Sequence, residues 1–73
     1  MIAAKNVDLA YKGDWCEQTA EFANAIGNIE IRDRNYRRAI LAYETGGFLD
    51  QALRVAKILG DSEKIKDLEG KLK

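Results

Sequence analysis

Gly46-Gly47-Phe48-Leu49-Asp50-Gln51 repeats Gly13-Asp14-Trp15-Cys16-Glu17-Gln18 at an offset of 33 residues. Carried forward, Ala23 falls on Ala56, Ile26 on Leu59, Gly27 on Gly60, Asn28 on Asp61 and Glu30 on Glu63. Carried back, Ala10-Tyr11 falls on Ala42-Tyr43 once one residue is allowed as a gap. The matches sit at aromatic, small and turn positions, which are the constrained places of a helical repeat.

Each copy reads as two helices with a tight connection. Trp15, Thr19, Phe22, Ala23 and Ile26 recur at three- and four-residue spacing, and so do Phe48, Leu49, Ala52, Val55, Ala56 and Leu59. That is the period of a helix with one buried face. Asp14 is a suitable N-cap, with Glu17 completing a box-like start. Gly27 and Gly60 are natural C-terminal stops, because glycine adopts the left-handed conformation cheaply. Asn28 and Asp61 follow at once and suit the next N-cap. Connections this short make neighbouring helices antiparallel.

The next helix, roughly 29 to 45, is expected to bury Ile29, Tyr36, Ala39, Ile40 and Tyr43, and to end at Gly46-Gly47. A first helix over about 3–12 carries Val7, Ala10 and Tyr11. A last one over about 62–72 carries Ile65, Leu68 and Leu72, on a narrow apolar stripe beside a broad charged face. The expectation is therefore one all-α domain over 1–73 with about five helices: a first hairpin at about 3–26, a second at about 29–59 and a closing helix at about 62–72. Trp15, Phe48, Tyr36 and Tyr43 are expected in the core, the tyrosine hydroxyls reaching the surface. Cys16 is expected to be buried or half-buried, with a redox role as the lesser alternative.

The run Ala42-Tyr43-Glu44-Thr45-Gly46-Gly47-Phe48-Leu49-Asp50-Gln51-Ala52, preceded by Tyr36, resembles the tetratricopeptide repeat. Tyr43 and Ala52 stand nine apart, as that family's pattern has them. Ile40 stands where a small residue is usual, Thr19 where the first copy would have alanine, and no proline ends the unit. The resemblance implies antiparallel hairpins stacked in a right-handed superhelical array, with a concave face that holds peptides. Such arrays need about three repeats for stability. The closing helix then reads as a polar cap, with self-pairing or a longer array as the other ways to supply the missing surface.

Composition narrows the function. Twelve basic residues balance twelve acidic ones, so no global field draws the chain to nucleic acid or an anionic membrane. The start Met1-Ile2-Ala3-Ala4-Lys5-Asn6 does not read as a signal peptide, and no apolar run approaches the roughly 18 residues of a membrane span. A single cysteine suits a reducing compartment, so a cytoplasmic location is expected. Histidine is absent, which removes the commonest general base and metal ligand. One cysteine without histidine makes no familiar nucleophile pair, and zinc would need several such ligands. No catalytic residue, metal or cofactor is expected.

Arg32, Arg34, Arg37 and Arg38 form the one local charge feature. Arg34, Arg37 and Arg38 share a helix face by their spacing, and arginine grips carboxylates and phosphates in a planar fork. With Leu41 and Glu44 they are the candidate partner-binding residues of a groove made by the helices around 3–12, 29–45 and 62–72. The leading expectation is a non-catalytic protein–protein interaction module that binds a protein or acidic peptide there. The second is a structural subunit that forms homo-oligomers through apolar ends, where Ile2, Val7, Leu9 and Tyr11 are more apolar residues than one helix face needs. A nucleic-acid adaptor ranks third.

Overall fold

The computed structural model describes residues 5–72, which form four α-helices and no strand. These are α1 (Val7–Ala25), α2 (Ile29–Thr45), α3 (Leu49–Leu59) and α4 (Ser62–Leu72). Each packs on the next in chain order, α1 on α2, α2 on α3 and α3 on α4. The result is a slab of 44 × 26 × 12 Å. The all-helical class is as expected, but among the described residues the helices number four rather than five. The expected helix start at Ala3, and Ile2 of the apolar end, lie outside the described residues.

All three connections are the same turn. Gly27, Gly47 and Gly60 have φ of +78°, +86° and +81°. The amide after each glycine donates to a carbonyl five residues back: Asn28 to Ala23 at 2.8 Å, Phe48 to Tyr43 at 2.8 Å and Asp61 to Ala56 at 3.2 Å. This closure satisfies carbonyls that the helix end leaves open. Asn28 Oδ1 then accepts from the Ile31 amide at 3.1 Å and Asp61 Oδ1 from the Lys64 amide at 3.2 Å. The expected equivalence of Gly27-Asn28 with Gly60-Asp61 is therefore met.

The equivalence of Gly13-Asp14 with Gly46-Gly47 is not. α1 runs unbroken from Val7 to Ala25, capped by Asn6, whose Oδ1 accepts from the Leu9 amide at 3.3 Å. Among the described residues, the first hairpin expected at about 3–26 is replaced by this single helix. Gly13 is buried inside the helix, and a Cβ there would lie 2.7–2.9 Å from ring atoms of Tyr43. Mid-helix glycine costs about 1 kcal/mol relative to alanine, an amount that the close seating of a buried aromatic ring offsets. Asp14 and Glu17 do not cap a helix start. Both present a carboxylate oxygen to the Tyr43 hydroxyl, which has one proton to donate between them and is buried rather than at the surface.

The core joins α1 through Cys16 and Ala20, α2 through Tyr36, Ala39, Ile40 and Tyr43, α3 through Ala52, Val55 and Ala56, and α4 through Leu68. The buried face of α1 carries Gly13, Cys16, Ala20 and Ala23, small residues that let α1 and α2 approach closely. The large residues expected there face outward instead. Trp15, Phe22 and Ile26 are 71, 68 and 64% exposed, and Ile29 at the start of α2 is 49% exposed. Tyr36, Tyr43 and Cys16 are buried as expected, and Phe48 is half-buried against the core.

Candidate functional site

α2 buries Tyr36, Ala39, Ile40, Ala42 and Tyr43. Arg34, Arg37, Arg38 and Leu41 stand at three- and four-residue spacing on the opposite face. Leu41 is 64% exposed, an aliphatic side chain ringed by guanidinium groups. Together with Glu30 these residues line a depression of about 430 Å³. Leu41 is also a ridge between two further hollows. Towards α1, a groove of about 560 Å³ has Leu9, Cys16 and Ala42 among its lining, with Lys12 and Arg38 as its cations. Towards α4, a smaller hollow is lined by Arg37, Ile40, Asp61 and Lys64. Volumes of this size suit small molecules or single side chains of a partner.

The cations differ in their commitments. Arg32 is held by Asp33 and by Asn24 Oδ1 at 3.0 Å, away from this face. Arg34 has a loose contact with Glu30 at 3.4 Å, an exposed pair worth a few tenths of a kcal/mol at best. Among the described residues, Arg37 and Arg38 have no hydrogen-bond or ion-pair partner.

Glu44 stands apart from the other four candidates. Its side chain, 17% exposed, is bridged by Lys64 and Lys71 of α4, each at 2.7 Å. Burial opposes its charge, but the hydrogen bonds and positive charge of the two lysines outweigh that and hold its carboxyl below the usual range. The structure thus gathers Arg34, Arg37, Arg38 and Leu41 in one surface and gives Glu44 to the α2–α4 joint. Leu9, Lys12, Cys16 and Thr45 complete the larger groove. Sequence reasoning missed them because it placed a helix end at Lys12 and so cut the groove's α1 wall in two.

A second polar cluster ties α1, α2 and α3 together. Glu17, whose side chain is 10% exposed, accepts from Tyr43 Oη at 2.8 Å and pairs in bidentate fashion with Arg54, whose Nη1 lies 2.9 Å from Oε2. Burial again works against the carboxylate, and the Arg54 and Tyr43 bonds overcome it, so Glu17 titrates below its ordinary value. Burial, with Asp14 and Glu17 as acceptors, pushes the Tyr43 hydroxyl far up. The bonds of Glu17 to Tyr43 and Arg54 link three helices, so this cluster is a structural joint.

Among the described residues, no group of three or more His, Cys, Asp or Glu side chains is placed to hold a metal ion, and no helix is long and apolar enough to cross a membrane. No family model matches the chain, and neither a curated protein nor a solved structure is detectably similar to it.

Proposed function

We propose that the chain is a non-catalytic interaction module that holds an acidic segment of a partner protein along the outer face of α2. The observation that carries this reading is the placement of Arg37 and Arg38, without a partner among the described residues, beside the exposed Leu41. A carboxylate-bearing segment would meet planar guanidinium donors. An apolar side chain between the carboxylates would cover Leu41 or enter the groove towards Leu9 and Cys16. The tetratricopeptide-like array belongs to this proposal too, since the resemblance concerns folds that present such grooves.

The test is fluorescence anisotropy with labelled peptides that alternate acidic and apolar residues, against composition-matched scrambles and single-stranded RNA. Saturable binding of the acidic–apolar pattern, lost in an Arg37→Glu/Arg38→Glu variant of unchanged circular dichroism, is the expected result. Equal binding by wild type and variant defeats the reading. Preferential binding of RNA, falling steeply with salt, replaces it with a phosphate-binding surface.

A further inference from the structure

The face of α1 turned away from the core carries Val7, Tyr11, Trp15, Gln18, Phe22 and Ile26. Tyr11, Trp15 and Phe22 are 67, 71 and 68% exposed, with Ile26 at 64% and Val7 at 52%. A helix apolar on both faces is normally covered on both, yet nothing in the described chain packs on this one: α1's principal packing partner is α2 alone, on its small-residue face. A contiguous apolar stripe of this kind marks an interaction surface.

We infer that this stripe pairs with the same stripe of a second copy, the two α1 helices running antiparallel about a two-fold axis. Two observations point to a second copy. The first is the spacing. Successive members stand 4, 4, 3, 4 and 4 residues apart, a series that reads the same from either end. An isologous contact demands such self-complementarity. With the axis midway between Trp15 and Gln18, Val7 meets Ile26 of the second copy, Tyr11 meets its Phe22 and Trp15 meets its Gln18. Apolar groups then face apolar groups towards both ends of the helix, with Gln18 as the one polar member at the centre.

The second observation is area. Large aromatic side chains carry roughly 150–250 Å² each, so the exposures of these residues leave roughly 600 Å² of apolar surface on the stripe. Two copies would cover about 1,200 Å², at the lower edge of a stable specific interface. Interfaces at this edge are weak and transient ones, so a reversible monomer–dimer equilibrium is expected. It uses the face of α1 opposite to the groove towards α2, so it is independent of the acidic-segment reading.

Trp15 is the chain's single tryptophan, which makes it a reporter at the axis. Sedimentation equilibrium should give a monomer–dimer equilibrium, and Trp15 emission should shift to the blue as concentration rises. A Trp15→Glu/Phe22→Glu variant, which touches no buried position, should stay monomeric with the circular dichroism of wild type. Val7→Cys and Ile26→Cys variants should form a mixed disulfide when combined and little disulfide alone. A wild-type monomer up to about 1 mM, where even the weakest specific association registers, overturns the pairing. A dimer that survives the double glutamate variant overturns the face, and self-linking of Val7→Cys alone overturns the antiparallel register.

Discussion

Gly13 and Tyr43 are packed so closely that a methyl group on Gly13 would stand 2.7 Å from the Tyr43 ring. Thirty residues of chain separate the two, and their contact joins α1 to α2. A Gly13→Ala variant gains about 1 kcal/mol of intrinsic helix propensity and meets an overpacking cost of about 1–3 kcal/mol. The expected net effect in urea denaturation is a loss of stability. A gain would mean that the ring is not seated on the helix backbone.

Glu17 is the acceptor on which Tyr43 and Arg54 converge. Truncating one partner of a buried ion pair costs up to about 3–5 kcal/mol. Arg54 is half-exposed, so solvent screens the stranded carboxylate and the expected loss for Arg54→Ala is about 1–2 kcal/mol. Adding Glu17→Gln should recover part of it. A double-mutant cycle with no coupling would show that the pair is idle.

Stability should fall at both ends of the pH scale. Glu17 and Glu44 have folded pKa values below the ordinary 4.5. Their contribution is complete above the unfolded value and disappears as pH falls through the lower folded ones. The Tyr43 hydroxyl is raised above the ordinary 10.0, so its contribution is complete below that value and declines as pH rises beyond it. Thermal melts across pH should show a plateau between these limits. A midpoint that stays flat as pH falls through the ordinary carboxylate value and on to about pH 2 would contradict the two carboxylate joints.

Gly27 and Gly60 both lie in the left-handed region with open space where a Cβ would go. Alanine at either site is strained by conformation alone, by about 1–2 kcal/mol. The two substitutions should cost similar amounts, because the turns close with the same hydrogen bond. Unequal losses measured by chemical denaturation would show that one turn relaxes.

Arg37 and Arg38 should be silent in folding. Neither has a partner among the described residues, and surface changes of this kind stay within about 0.5 kcal/mol per site. The double glutamate variant should keep the wild-type melting temperature while losing its ligand. A large drop in melting temperature would move these residues from binding to structure.

The arginine face was legible from spacing alone. Arg34, Arg37, Arg38 and Leu41 lie within two turns of one helix, and a helix places such residues together whatever surrounds it. Glu44 has the same local credentials. Its loss to Lys64 and Lys71 depends on where α4 lies, which no spacing within α2 records.

What the chain determines locally is its helical character and its stops. Gly27-Asn28 and Gly60-Asp61 end one helix and cap the next using groups within a few residues, so nearby chemistry suffices. Gly13 looks the same in sequence and does the opposite. Glycine serves both where the backbone must turn left-handed and where another group must come close, and only Tyr43 from the neighbouring helix selects the second use. The same is true of the two faces of α1. Small residues recur on one side and large apolar ones on the other, and both carry the helical period. Burial went to the small face because Tyr43 and the alanines of α2 need a close approach. That left Trp15, Phe22 and Ile26 outside, where local periodicity had placed the core.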